Sequence, residues 1–125
     1  MKEIIATKSA PAAIGPYSQG ISAGNLVITS GQRPVDPATG SFAPGGVAEQ
    51  THQSPANVQA VLAQAGLTME NVIKTTVFLS DMNNFSAMNE VYATFFPQNP
   101  PARSAVEVAR LPKNALVEIE AIACR

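Results

Sequence analysis

The sequence predicts an α+β fold, with about six strands and two helices packed together on one face of the sheet. A chain of 125 residues has room for one domain with one hydrophobic core. Two stretches carry apolar residues every three or four positions, which is the period of a helix. The other apolar stretches are short and rich in Val, Ile and Thr, which is typical of strands. No repeat or linker divides the chain, so residues 1–125 are expected to form a single domain.

The N-terminal third predicts three strands separated by a loop. Residues 2–7 form the first strand candidate, and residues 18–23 and 25–31 form a hairpin that turns at a Gly-Asn pair. Residues 10–17 contain two prolines and a glycine, so we expect an ordered loop there. A turn-rich segment at residues 34–46 separates this hairpin from the first helix.

The first helix is predicted from residue 47 until Gly66. One helical face carries Val47, Thr51, Ser54, Val58, Val61, Leu62 and Ala65. Pro55 leaves two alternatives open, because proline cannot donate the helical hydrogen bond. Either the helix continues through Pro55 with a kink, or Ser54 caps a shorter helix that has Pro55 in its first turn.

The second half of the chain predicts a strand, a helix and two final strands. Residues 69–79 are expected to form a buried strand, because neither face is clearly polar. Asp81 is a candidate N-cap for a helix that ends at residues 97–101. The inner face of this helix would carry Phe85, Met88, Tyr92 and Phe95. The last strands are predicted at residues 102–109 and 116–123.

Two features indicate that a partner subunit covers part of this sheet. The third and fourth predicted strands carry apolar or Thr side chains on both faces, yet two helices can cover only one face. Charged residues make up 14% of the chain, whereas soluble domains usually have about 25%. We therefore expect an oligomer in which another subunit covers the second sheet face.

The last two strands carry several charged side chains, which the alternation of strand residues sorts by face. We expect Ser104, Val106 and Val108 to face the helices, together with Val117, Ile119 and Ala121. The opposite face would then hold Arg103, Ala105, Glu107, Leu116, Glu118, Glu120 and Ile122. Charges on a partly buried face either pair with each other across an interface or bind a ligand. The residues alone leave both interpretations open.

Composition and spacing favour few other functions. The net charge is −1 and the eight Lys and Arg residues are scattered along the sequence, so no basic patch for nucleic acid is predicted. No 18-residue apolar run and no signal peptide are found, and the single Cys124 cannot form an intrachain disulfide. We expect a cytoplasmic protein without membrane contact. His52 has no evident catalytic partner, and no metal-ligand spacing or phosphate-binding loop is present.

Five segments resemble the reactive intermediate deaminase family, also called RidA/YjgF or 2-iminobutanoate/2-iminopropanoate deaminase. The C-terminal part resembles the family signature through PARSAVEVARLP at residues 101–112 and VEIEAIA at residues 117–123. The sequences APAAIGPYSQG at residues 10–20, ITSGQ at residues 28–32 and KTTVF at residues 74–78 add to the resemblance. They occur in the family's order, and together they extend over nearly the whole chain.

The resemblance implies a fold, an assembly and an activity. The subunit would be chorismate-mutase-like, and three copies would form a homotrimer around a central barrel of sheets, with active sites in the clefts between subunits. The family hydrolyses enamine and imine species such as 2-aminoacrylate, 2-iminopropanoate and 2-iminobutanoate to 2-oxo acids and ammonia. The resemblance implies no cofactor and no metal. Its substrates would be small 2-imino acids.

The resemblance also implies roles for individual residues. Arg103 would bind the substrate carboxylate, and Glu118 would position the attacking water. The cleft would be lined by Tyr17, Ser30, Gly31 and Asn89, with Phe85 and Ala105 close by. Many members have cysteine at the position of Ala105, so a mechanism that depends on that thiol is not open to this chain.

Two alternatives to the deaminase function remain at this point. Some relatives in this family have been described as endoribonucleases or translation inhibitors, although the acidic pI of 5.7 does not favour phosphate-backbone binding. The other alternative is a protein that binds small carboxylates at Arg103 without turning them over.

Overall fold

The computed structural model describes residues 1–125 and contains one six-stranded mixed sheet and two α-helices. The strands lie in the order β1-β2-β3-β6-β4-β5, and only the β4–β5 pair is parallel. The elements are β1 Lys2–Ile5, β2 Gly20–Ala23, β3 Leu26–Thr29, α1 Val47–Gln64, β4 Val72–Leu79, α2 Phe85–Phe95, β5 Ala102–Glu107 and β6 Val117–Cys124. The predicted class, with six strands and two helices on one sheet face, is confirmed.

Helix α1 runs without interruption through Pro55, so the alternative of a shorter helix capped by Ser54 is wrong. Residues on both sides of the proline are buried, among them Thr51 before it and Val58 after it. Their packing outweighs the cost of about 3 kcal/mol for a proline inside a helix. The N-terminus of α1 is instead capped by Glu49, whose Oε1 accepts a hydrogen bond of 2.8 Å from the Gly46 N–H.

Two predicted boundaries are wrong by one turn. The segment expected to begin β4 at Met69 forms a 3₁₀ turn, Met69–Asn71, because the Thr68 side chain accepts a hydrogen bond from the Glu70 N–H. Asp81 likewise caps a 3₁₀ turn, Met82–Asn84, and α2 begins only at Phe85. Polar caps therefore mark the positions where these turns start, while the length of the turn depends on the contacts that follow.

The core lies between the helices and one face of the sheet. Strand β6 alternates regularly, with Val117, Ile119 and Ala121 buried on the helix side and Glu118 and Glu120 on the other side. This sorting of β6 agrees with the prediction. On the helix side, Met88 and Tyr92 of α2 are buried against the same core.

The prediction for β5 is wrong, because Arg103, Ala105 and Glu107 lie on the helix side of the sheet. In the register, Arg103 is opposite Thr75 and Ala105 is opposite Val77, and both β4 residues are buried in the core. The expected inward residues are instead outside, and Val106 is 41% exposed. Strand β5 is the edge of the sheet and is incompletely covered on both faces, so its apolar residues do not indicate which face is buried.

The sheet face away from the helices carries several exposed apolar side chains and is uncovered in the single chain. It exposes Ile4, Leu26, Ile28, Ile73 and Val106, each between 40% and 69% exposed. This agrees with the expectation that the two helices cover only one face. Neither helix is long and apolar enough to cross a membrane.

Candidate active site

Arg103 is held by neutral and aromatic groups from helix α2. Its Nη1 donates a hydrogen bond of 2.7 Å to Asn89 Oδ1. The guanidinium carbon lies 4.8 Å from the ring centroid of Tyr92 and 5.4 Å from that of Phe85, which are cation–π distances. The Tyr92 ring is itself fixed, because its hydroxyl lies 2.7 Å from Thr75 Oγ1. The guanidinium is thus oriented while most of its five N–H donors remain free for a ligand.

A cavity of about 400 Å³ lies beside this guanidinium. It is bounded by Asn89, Tyr92 and Phe96 of the α2 region and by Pro100 and Pro101. A carboxylate that enters this cavity meets a fork of donors, which binds carboxylates in a bidentate manner.

Glu118 lies on the opposite face of the sheet, against Gly31. Any Cβ at Gly31 would overlap the Glu118 carboxylate, so glycine is required for this close approach. Gly31 is fixed by its neighbours, because the Ser30 N–H donates to Gln19 O at 2.9 Å and the Gln32 N–H donates to Ile119 O at 2.8 Å. The Gly31 N–H between them has no hydrogen-bond partner. The Gly31 backbone and the Glu118 carboxylate therefore lie next to each other.

Tyr17 and Ser30 lie beside Gly31, Tyr17 across a shared cleft and Ser30 as its neighbour in the chain. Tyr17 is 48% exposed and lines, with Gly31, a narrow cleft of about 30 Å³, roughly the volume of one water molecule. Ser30 Oγ donates a hydrogen bond of 2.6 Å to the Ser18 carbonyl, which ties the end of β3 to the loop that carries Tyr17. The eight residues for which the family resemblance implies a role thus form two clusters. We call them the arginine cluster (Phe85, Asn89, Arg103, Ala105) and the glutamate cluster (Tyr17, Ser30, Gly31, Glu118).

Burial raises the pKa of the Glu118 carboxyl above its usual value of 4.5. The nearby Arg33 opposes this rise, and the negative charge of Glu120 adds to it. A carboxyl whose pKa moves towards neutrality is better suited to take and return a proton near physiological pH. Burial also raises the pKa of the Tyr92 hydroxyl, which therefore stays neutral under Arg103.

The two clusters cannot meet within one chain. Arg103 is in register with Thr75, and Thr75 with Ala121, which places Arg103 on the helix face of the sheet. Glu118 is in register with Phe78 and lies on the other face. A substrate of a few atoms could not touch both side chains through the sheet, which has close-packed side chains on its core face.

The structure also changes the interpretation of the other charged residues. Glu107 does not accompany Glu118, because its Oε1 accepts a hydrogen bond of 2.8 Å from the Met82 N–H. Arg33 and Tyr92 were not predicted as site residues. Arg33 could have been found from its position two residues after Gly31, whereas Tyr92 was assigned to the core and gave no sign of its contact with Arg103.

Replacing Gly31 with alanine is expected to leave the protein folded and to lower its activity by about a hundredfold, the usual effect of a misplacement of roughly 1 Å. The new Cβ would push away the Glu118 carboxylate, which is the flexible end of a side chain. Steady-state kinetics and thermal melting would measure the two effects. Gly46→Ala is the control, since Gly46 has an ordinary backbone conformation and a Cβ there would meet only Glu49 Oε1, at 4.0 Å. Native activity in Gly31→Ala would contradict a role for Glu118 at this point.

The chain matches a known family over nearly its whole length. Residues 7–125 match the family model described as Endoribonuclease L-PSP. This chain belongs to the RidA/YjgF family. A RutC family protein of Pyrococcus horikoshii is 55% identical, and the alignment covers 98% of each chain.

Other RidA/YjgF relatives carry more specific names. The 2-iminobutanoate/2-iminopropanoate deaminase of Escherichia coli K12 is 54% identical over 100% of this chain and 99% of its own. The structure of E. coli TdcF with bound serine has a TM-score of 0.95 and 51% identity, with 98% of each chain covered. The resemblance to the RidA/YjgF family inferred from five segments is therefore confirmed.

Proposed function

We propose that this protein is a cofactor-independent deaminase that hydrolyses 2-iminopropanoate, 2-iminobutanoate and the enamine 2-aminoacrylate to 2-oxo acids and ammonia. The observation that best supports this proposal is that only neutral side chains contact Arg103, so its remaining N–H donors are free to bind an anion. Two relatives support this substrate class. One is named for 2-imino acid deamination, and another was solved with serine bound, a small molecule with the same carboxylate.

The proposed reaction needs only positioning and proton transfer. Arg103 holds the carboxylate, and Glu118 accepts a proton as water attacks the imine carbon. The nitrogen gains a proton, giving a carbinolamine whose oxygen can accept a hydrogen bond from the Gly31 N–H. Glu118 then returns its proton to the amine. As the C–N bond breaks, the carbinolamine hydroxyl loses its proton to solvent, which balances the proton that the nitrogen took from solvent, and ammonia and the 2-oxo acid leave. An enamine substrate first takes a proton at its terminal carbon to become the imine.

We further propose a homotrimer in which each active site combines the arginine cluster of one subunit with the glutamate cluster of the next. The support is geometric, since the two clusters lie on opposite faces of one sheet. The exposed apolar sheet face offers a surface for association, and burying it would release ordered water. We assign the protein to the cytoplasm, in keeping with its single cysteine and its metabolic substrates.

Mixing two inactive variants is expected to restore activity if the site is shared between subunits. In trimers refolded from equal amounts of Arg103→Ala and Glu118→Gln, about a quarter of the sites would combine two intact clusters, because each cluster is intact in half of the subunits. Pyruvate formation from 2-aminoacrylate would measure this recovery.

The control replaces Glu118→Gln with the double variant Arg103→Ala/Glu118→Gln, which supplies no intact arginine cluster and should restore nothing. Native mass spectrometry would verify that mixed oligomers form. Mixed oligomers without recovered activity would refute the shared site. A native protein that does not accelerate pyruvate formation would refute the deaminase proposal itself.

Endoribonuclease activity is the second candidate, because the matching family model carries that description. The net charge of −1 and the charged fraction of 14% offer little attraction to a phosphate backbone. RNA cleavage at moderate salt by the native protein, but not by Arg103→Ala, would favour this candidate. Binding of 2-oxo acids without any turnover would instead favour a carboxylate-binding protein.

A further inference from the structure

A cavity of about 410 Å³ outside the two clusters brings together three cationic residues, Lys8, Arg33 and Lys113. They come from three separate segments, namely the loop after β1, the segment after β3 and the turn before β6. The whole chain has eight Lys and Arg residues, so the fold gathers more than a third of them at one cavity. Because these three residues are far apart in the sequence, the sequence did not predict that they lie together.

No carboxylate lines this cavity to neutralise the three charges. Asp36 is the acidic residue nearest in sequence to any of the three cations. Its Oδ1 accepts a hydrogen bond of 2.9 Å from the Ala38 N–H in its own turn. Glu118 interacts electrostatically with Arg33 but lies against Gly31, outside the cavity. Three like charges around one space repel each other, and an anion in that space would relieve the repulsion.

The backbone at two of these residues has a defined conformation. The Arg33 carbonyl accepts hydrogen bonds from Asn57 Nδ2 at 3.1 Å and from the Val35 N–H at 2.8 Å. Lys113 has φ 54° and ψ 29°, and Asn114 has φ 59°. Two successive non-glycine residues in the left-handed region cost free energy, and such strain is concentrated at functional sites. A glycine would remove the cost at residue 113, whereas this turn instead carries a lysine to the cavity.

The remaining lining is largely apolar and includes Pro11, Ile14, Val35 and Phe42. Ile14 is 87% exposed, so its side chain is free to contact an occupant. An occupant would therefore combine at least two negative charges with an apolar body. A cavity of about 410 Å³ is within the usual range for sites that bind small molecules.

We propose that the Lys8–Arg33–Lys113 cavity binds a small organic phosphate, an anion with at least two negative charges attached to an apolar or aromatic group. The lysines attract the phosphate as point charges, and Arg33 can hold two of its oxygens with its planar fork. The apolar lining contacts the organic group. This site does not depend on the deaminase proposal, because Lys8 and Lys113 lie outside the two clusters and only Arg33 also lines the cleft beside Gly31.

Calorimetric titration with phenyl phosphate at pH 8 and low salt tests the proposal. At this pH the phosphate is a dianion, since its second pKa is about 6. We expect phenyl phosphate to bind more tightly than inorganic phosphate, which lacks the aromatic group, and than benzoate, which has one charge. Raising the salt concentration should weaken the binding, because ions screen these charges.

Lys8→Gln and Lys113→Asn are each expected to weaken phenyl phosphate binding by about tenfold, the effect of losing one charge-assisted hydrogen bond. Asparagine is chosen at position 113 because it tolerates the left-handed conformation. Lys2→Gln is the matched control, since Lys2 is exposed on β1 and does not line the cavity. Circular dichroism melting would verify that each variant folds.

Three results would overturn the proposal. The first is that phenyl phosphate does not bind to the native protein. The second is that Lys2→Gln weakens binding as much as the cavity variants do, which would indicate attraction by overall charge. The third is that a short oligoribonucleotide competes for the cavity at a lower concentration than phenyl phosphate, which would indicate that the three cations bind RNA.

Discussion

Replacing Arg103 with alanine is expected to lower kcat/KM for 2-aminoacrylate hydrolysis by at least about a hundredfold. In the proposed site the guanidinium would donate two charge-assisted hydrogen bonds to the carboxylate, each contributing about 1.5–3 kcal/mol. Without them the imine carbon is no longer held at the attacking water. A serine dehydratase would generate 2-aminoacrylate, and the rate of pyruvate appearance would report the hydrolysis.

Arg103→Lys should recover little of this loss. A lysine keeps the positive charge, but it cannot present a planar fork, and its shorter reach would forfeit the hydrogen bond to Asn89 Oδ1 and the position over the Tyr92 ring. Arg110→Ala is the control, because Arg110 is exposed in the loop that follows β5. If Arg103→Ala kept the native rate while its oligomer persisted, Arg103 would have no part in binding substrate.

Replacing Glu118 with glutamine is expected to lower kcat by about 10² to 10⁴, the usual contribution of a general acid or base. Glutamine fills the same space against Gly31 but cannot accept the proton of the attacking water. Glu120→Gln is the matched control, because Glu120 lies two positions further along β6 and on the same face. Glu120→Gln should lower kcat by much less than Glu118→Gln does.

The raised pKa of Glu118 gives this prediction a second measurement. Water activation requires the ionised carboxylate, so activity should fall as the pH drops through the folded-state pKa of Glu118. Because burial raises this pKa, the acidic limb of the rate profile should have its midpoint above 4.5. In Glu120→Gln the limb should move to lower pH, since the negative charge that helps to raise the pKa is removed.

The same pKa shift has a consequence for stability. A carboxyl whose pKa is higher in the folded state binds more protons there, so its stabilising contribution is present at low pH and is lost as the pH rises through the folded pKa. Glu118→Gln should therefore be at least as resistant to urea at neutral pH as the native protein. Full turnover by Glu118→Gln, or an acidic limb at the ordinary glutamate pKa, would remove Glu118 from the mechanism.

Much of the fold was accessible from the sequence because its signals are local. The alternation of Val117, Ile119 and Ala121 identified the buried face of β6, and the period of apolar residues placed α1 correctly at Val47. These patterns work where one side of an element is completely buried, since each residue then reports its own environment. The family resemblance, spread over five segments, predicted the residues that we group in the two clusters, and their roles stay predictions.

Only the tertiary structure decided how those residues are arranged. The edge strand β5 is partly exposed on both faces, so nothing in its pattern of Val and Ser revealed that Arg103 points towards α2. The separation of Arg103 from Glu118 by the sheet follows from the strand register, and the meeting of Lys8, Arg33 and Lys113 follows from loop packing. Periodicity reports the surroundings of an element and not the identity of its distant neighbours, which depends on contacts between remote parts of the chain.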